Sequence, residues 1–244
     1  MFDRTTSAKY AIKQLLRRLG VEVTWYIPYR HYDERLLAAL NRHGVTLAVD
    51  VGANEGQFSG QLRMIGYAGR MASFEPLAAP HASLAARAKH DPLWHVGRRA
   101  AIGERAGTLT LNVARNSVSS SSMRMLPHHL AAAPQSEIVG AESVEVMTLD
   151  EALAGVARPE DTLFLKIDVQ GAEEKVLAGA RHTLARTRVM QMELSLVPLY
   201  EGQPLADEMI GRLKHLGFQL ADIRQEFVDP RDGRLLQADG LFVR

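Results

Sequence analysis

From residue 45 onward, short apolar runs alternate with amphipathic ones, and that alternation leaves few architectures open. Residues 45–51, 70–74, 94–96, 162–167, 188–194 and 218–223 read as strands, with helices over 57–65, 81–89, 172–185 and 205–216. Such an order predicts an α/β fold with a mostly parallel sheet, because a parallel neighbour is reached only through a crossover connection. Leu163, Phe164, Leu165 and Ile167 are apolar in succession, as a strand covered on both faces requires. The chain closes with an Asp232-Gly233 turn and an apolar run over 235–243, read as a returning edge strand.

Two regions break the rhythm. Residues 1–44 read as an N-terminal helical extension to a domain spanning 45–244. Within the extension, Ala8, Ile12, Leu15, Leu16 and Leu19 recur at helical spacing beside a basic stripe of Lys9, Lys13 and Arg17. Covering a sheet is the ordinary use of such a helix. The alternative is peripheral contact with an anionic membrane surface. Residues 104–147 read as an insertion or lid: an alternating strand over 108–113, a serine run from Ser119 to Ser122, paired His128 and His129, and a short strand over 144–147.

Composition narrows the class. The net charge is only +1 over 244 residues, which gives no global attraction to nucleic acid. Cysteine is absent, so disulfides, thiolate metal sites and cysteine nucleophiles are excluded. No apolar run approaches the roughly 18 residues that span a bilayer, and Lys9, Lys13, Arg17 and Arg18 interrupt any signal-peptide core. The expectation is a soluble, cytoplasmic protein, with the inner membrane face as the peripheral alternative.

Chemistry concentrates where strands end, as ligands do in open α/β sheets. Lys166, Asp168, Gln170 and Glu173 crowd the end of one strand, and a polar cluster there is costly unless something uses it. A second site follows residue 51, where Gly52-Ala53-Asn54-Glu55-Gly56 leads into a helix whose free N–H groups suit an anion. This turn has no Gly-Lys-Ser/Thr for a phosphate loop, and its glycines miss the dinucleotide spacing. S-adenosylmethionine, which carries no phosphate, fits better. Asp50 then stands where its ammonium and sulfonium want an acid, and Glu75 near the offset at which an acid takes ribose hydroxyls.

With these residues in view, the sequence resembles the FkbM-type S-adenosylmethionine-dependent methyltransferases. The matching stretches include Val49-Asp50-Val51-Gly52-Ala53-Asn54-Glu55-Gly56, Phe74-Glu75-Pro76, Thr148-Leu149-Asp150, Lys166 through Glu173, Glu193 and Asp239-Gly240-Leu241-Phe242. The resemblance implies a class I methyltransferase, Rossmann-like sheet of seven strands with an antiparallel last strand. It also implies O-methylation of a hydroxyl acceptor, often on a sugar of a glycolipid, polysaccharide or polyketide. Asp50, Gly52, Ala53, Asn54, Gly56, Glu75 and Pro76 are the expected donor-binding residues.

A sugar hydroxyl is a poor nucleophile until something takes its proton. Asp168 is the first choice as general base and Glu193, at the end of the next strand, its partner. The alternative use of Asp168 and Glu193 is to hold one Mg²⁺ through oxygen ligands. Asp150 reads equally as a helix cap, His128 and His129 as solvated or as a base, and Tyr200 as a sugar platform or core. Two rival functions stay open at this point: a nicotinamide-dependent reductase and a non-catalytic scaffold.

Overall fold

The computed structural model describes residues 4–21, 23, 27 and 29–244, with the backbone alone over 4–9. Chain contacts divide the molecule into two units, Met1–Arg35 and Leu36–Arg244. In chain order the elements are α1 (Arg4–Arg18), α2 (Tyr32–Arg42), β1 (Leu47–Val51), α3 (Gln57–Met64), β2 (Arg70–Phe74), α4 (Ala78–Ala88) and β3 (Trp94–Val96). Then come β4 (Ala101–Ile102), β5 (Gly107–Ala114), α5 (Pro127–Ala132), β6 (Ile138–Met147), α6 (Leu149–Ala152), β7 (Leu163–Ile167), α7 (Glu173–Ala178) and α8 (Arg181–Arg186). The last four are β8 (Thr187–Ser195), α9 (Ala206–His215), β9 (Gln219–Val228) and β10 (Leu235–Val243).

The smaller unit holds α1 and the first residues of α2. Tyr29 N donates to Glu34 Oε2 at 2.8 Å, and Arg35 Nη1 donates to the Tyr29 and Arg30 carbonyls, which fixes the entry into α2. Asp33 and Glu34 in that first turn favour the positive end of the helix. On α1 and the turn just past it the expected apolar stripe is exposed at Ile12, Leu15 and Leu19; the side chains of Ala8 and Lys9 lie outside the described residues. The unit boundary falls inside α2, and Leu36 and Leu40 are buried in the larger unit.

Among the described residues of the larger unit, the strands form one seven-stranded sheet and one three-stranded sheet. The large sheet has the order β3-β2-β1-β7-β8-β10-β9, parallel throughout except for β10. β10 runs antiparallel to both β8 and β9. This corrects the expected edge position of the last strand. The reason is polarity: β10 is almost wholly buried, whereas β9 carries Asp222, Arg224 and Glu226 and takes the exposed edge. The β1 and β7 strands are buried at every position, which matches two covered faces. Fully burying each of their Leu, Ile, Val or Phe side chains stabilises the fold by roughly 1.5–3 kcal/mol.

The helix expected over 172–185 is broken at Gly179-Ala180 into α7 and α8. A Cβ on Gly179 would lie 2.1 Å from the Gly103 carbonyl oxygen, so the helix stops where the small sheet's backbone presses on it. Asp150 N donates to Gly179 O, and both Asp150 carboxylate oxygens accept from the start of α8, at His182 N and Thr183 N. Asp150 is therefore a cap, but of a helix 30 residues away. Its own helix is capped by Thr148 in a capping box with Glu151. Gly179→Ala should cost about 1–3 kcal/mol through overpacking, read as a lower midpoint in denaturant titration. An unchanged midpoint would mean that the two backbones separate freely.

Across one face of the large sheet runs a buried polar row: Ser73 on β2, Asp50 on β1, Lys166 on β7 and Gln191 on β8 stand in register. Trp94 Nε1 donates to Ser73 Oγ, Ser73 and Ser59 hydroxyls bond each other, and Ser59 donates to Asp50 Oδ2 at 3.0 Å. These bonds make the row tolerable in a core, although Asp50 Oδ1 has no hydrogen bond and only the Lys166 ammonium 3.7 Å away. The row ends at the candidate site.

Candidate active site

The turn after β1 is built for close approach. Gly52 has φ +81°, and a Cβ there would fall 1.8 Å from the Asp168 carbonyl oxygen, so this glycine lets the β1 and β7 turns touch. Gly52 N and Ala53 N both donate to Phe74 O at 3.1 Å, which ties the turn to the end of β2. Gly56 serves packing: a side chain there would strike Leu84 and the Trp94 ring.

Glu75 is buried beyond the end of β2 and faces this turn. Its Oε2 accepts from Asn54 N at 2.8 Å and its Oε1 from Leu77 N at 2.9 Å. Burial pushes its carboxyl up to about 7, against those two N–H groups, with Asp50 and Asp168 adding to the rise. An ionised carboxylate has about four acceptor positions, so two remain for a ligand.

Glu75 lines a cleft with Gly52, Asn54, Pro76, Asp168 and Gln170. The apolar wall comes from Ile102, Leu109 and Leu111 of the small sheet together with Leu77, which suits a flat heterocycle. A buried acid (Glu75), apolar side chains and a second carboxylate (Asp168) in one cleft suit the ribose, the adenine and the cationic sulfur of S-adenosylmethionine. Asp50, Ala53 and Gly56 do not line the cleft. Asp50 is turned away to Ser59 and Lys166, and burial holds its carboxyl above the usual range despite that lysine.

At the end of β7 the charges are organised around Lys166. Its buried ammonium lies 3.0 Å from Asp168 Oδ2, 3.7 Å from Asp50 Oδ1 and over the Phe58 ring. Burial alone would weaken the ammonium, but Asp168, Asp50 and Asp239 together raise it above the ordinary lysine range. Gln170, held at φ +55°, donates from Nε2 to Asp168 Oδ1 at 2.9 Å and to both Glu193 oxygens at 3.0 and 3.1 Å. Tyr200 is fully buried, and its hydroxyl lies 2.9 Å from Gln170 Oε1 and from Ser119 O. It positions Gln170 and is not a platform for a sugar. Glu173 accepts from Val169 N and Gly171 N and pins the loop; burial raises its carboxyl to about 7.

Asp168 and Glu193 are thus brought together, but with the Gln170 amide between them. Among the described residues no group of three or more His, Cys, Asp or Glu side chains is arranged to hold a metal ion. The Mg²⁺ alternative does not fit this geometry: an N–H donor occupies the place a cation would need.

Asp168, Gln170 and Val118 also line a second cleft, so the two clefts meet at these side chains. The second cleft adds Glu193, Glu226, Gln237, Gln135 and Asn116, with Phe227 and Ala133 as its apolar patches. His129 on α5 lines it too, buried beside the Tyr200 and Phe227 rings, with its Nδ1 unpartnered. Burial, followed by the charge of His128, lowers the His129 imidazole to about 4, so it is neutral at pH 7. Burial, then the charges of Asp168, Glu173 and Asp239, push Glu193 well above the ordinary carboxyl range. Glu226 and Phe227 on β9 and His129 on α5 come from two distant segments, and of the three only His129 is a candidate in the sequence.

A parallel sheet with one antiparallel strand inserted next to its edge, and an acid-lined nucleoside cleft at the strand ends, define a class I methyltransferase. The chain belongs to the FkbM family: the Methyltransferase FkbM domain model matches residues 50–220. That family is one of methyltransferases, which sets aside the nicotinamide reading. A curated relative, 2-O-methyltransferase NoeI of Sinorhizobium fredii, is 30% identical over 162 residues. The match covers 64% of this chain and 65% of that protein, just under two thirds of its length. Solved structures of similar outline include fibrillarin from Aeropyrum pernix with S-adenosyl-L-methionine bound, at 14% identity and a TM-score of 0.45 over 85% of this chain and 74% of that one. TehB from Haemophilus influenzae is 10% identical with a TM-score of 0.44, over 94% and 65%.

Proposed function

We propose that this methyltransferase acts on oxygen, and that its acceptor is a hydroxyl of a sugar, free or carried on a lipid or other metabolite. One observation carries the reading: the donor cleft and a second, polar cleft meet at Asp168 and Gln170. The lining of the second cleft supports a sugar. Amides and carboxyls (Gln237, Gln135, Asn116, Glu226) match hydroxyls, and Phe227 offers a face for ring C–H groups. The name of the relative, a 2-O-methyltransferase, agrees with oxygen as the acceptor atom.

When bound, S-adenosylmethionine supplies a methyl carbon already activated by positive sulfur. The protein's own contribution is then alignment and one proton. Asp168 accepts the hydroxyl proton, and its Oδ2 and Oδ1 are fixed by Lys166 and Gln170, so little reorientation is needed. Glu193, whose carboxyl is pushed up by burial and by the neighbouring acids, accepts from Gln170 Nε2 and so holds that amide against Asp168. Glu75 holds the donor's ribose.

The test is a product-mass screen with methyl-labelled donor against free sugars, glycolipids and polyketides. Label on a sugar hydroxyl is expected. Label on nitrogen, or turnover only on hydroxyls outside sugars, would overturn the acceptor assignment.

A further inference from the structure

Among the described residues, apolar side chains of α1 and of the turn after it are exposed. Ile12 and Leu15 lie at i and i+3 on α1, Leu19 follows in the turn just past the helix, and they are 60%, 60% and 72% exposed. Exposure continues past the helix at Val21, Val23, Ile27 and Tyr29. Scattered exposed leucines mean little, but a contiguous apolar face of this kind marks an interaction surface.

Charge and aromatic content indicate what covers it. Residues 1–30 hold Arg4, Lys9, Lys13, Arg17, Arg18 and Arg30 against Asp3 and Glu22. The whole chain is only +1, so residues 31–244 are net negative and the positive charge is segregated at this end. Phe2, Tyr10, Trp25, Tyr26 and Tyr29 lie in the same stretch, although aromatic residues are only 6% of the chain. Exposed apolar residues in a stretch whose sequence is rich in basic and aromatic residues match the interface of an anionic bilayer: the apolar residues enter the acyl boundary and the cations meet lipid phosphates. A protein partner covering this face would need acidic charge without the depth that Trp and Tyr favour. Among the described residues no helix is long and apolar enough to cross a membrane, so the contact is peripheral.

We propose that α1 and the segment after it dock this protein on anionic lipid bilayers, with Ile12, Leu15 and Leu19 inserted at the interface. The proposal is independent of which acceptor is methylated.

The experiment is vesicle co-sedimentation of the full chain. Vesicles of phosphatidylcholine alone are compared with vesicles containing about one third phosphatidylglycerol. Binding is expected to the anionic vesicles, and at least about tenfold weaker to the neutral ones. It should weaken further between 0.1 M and 1 M salt, as the screening length falls from about 10 Å to about 3 Å. Ile12→Asp with Leu15→Asp should reduce anionic-vesicle binding at least about a hundredfold, while S-adenosylhomocysteine affinity and the circular dichroism spectrum stay unchanged. Three outcomes overturn the proposal: no binding of the parent to anionic vesicles, undiminished binding of the double variant, or a dimer in light scattering that dissociates in the double variant without any vesicle binding. The last would assign the face to a second copy of the chain.

Discussion

Asp168→Asn is expected to abolish methyl transfer while leaving donor affinity within a few-fold of the parent. The amide keeps the size of the carboxylate and one of its two acceptor contacts, to Lys166 or to Gln170, but cannot take a proton. Loss of a positioned general base costs typically 10²–10⁴-fold in rate. The fold should survive, because Lys166 keeps Asp50 as a counter-charge 3.7 Å away. The measurements are single-turnover rate with an identified acceptor and calorimetric affinity for S-adenosylhomocysteine. Full activity in the variant would remove Asp168 from the chemistry. A parallel collapse of donor affinity would reassign it to binding.

Glu75→Gln should weaken donor binding by about 10- to 100-fold, the range expected for a charged hydrogen-bond acceptor worth about 1.5–3 kcal/mol. The parent's affinity should also depend on pH in a particular direction. With the Glu75 carboxyl raised to about 7, the free protein is protonated there below neutrality. Affinity for S-adenosylhomocysteine then falls as pH drops below 7 and levels off above it; in Glu75→Gln this slope should vanish. Stability of the donor-free protein moves the other way. A folded-state pKa of about 7 against a model value of 4.5 means that the group's contribution is complete below about 4.5 and lost as pH rises through 7. Glu173, raised to about 7 by its own burial, adds in the same sense. A parent affinity that is flat between pH 6 and 8 would exclude Glu75 as the ribose acceptor.

Much of this site was legible in the sequence because its chemistry sits on strand ends. Gly52, Glu75 and Asp168 each follow an apolar strand directly, so the strand pattern places all three on one edge of the sheet. The 163–167 run was readable for the same reason: five consecutive buried positions leave no polar face to hide. What could not be read depends on contacts distant in the chain. A single glycine in an amphipathic run is ordinary, and only the Gly103 backbone pressing on Gly179 explains why the helix breaks there. Asp150 caps α8 rather than the helix it begins, and Tyr200 turns inward to hold Gln170. The interior position of β10 was missed because a hairpin strand looks the same from either side; the charged residues of β9 decide which of the two is outermost. Asp50 fits its sequence motif yet belongs to the polar row behind the cleft.

The pairing of β1 with β7 has a kinetic consequence. Thr46 and Thr162, which close the base of these two strands, are 116 residues apart in the chain, and the small sheet is threaded between them. Long-range pairings of this kind form late, since the entropy of closing the intervening loop is lost before any contact compensates. The β5–β6 hairpin and the β9–β10 hairpin can assemble locally beforehand. Gly52 and Asp168 sit on opposite sides of the late seam, so a partly folded chain has neither a donor cleft nor a base, and catalytic competence arrives in one step with the closing of the sheet.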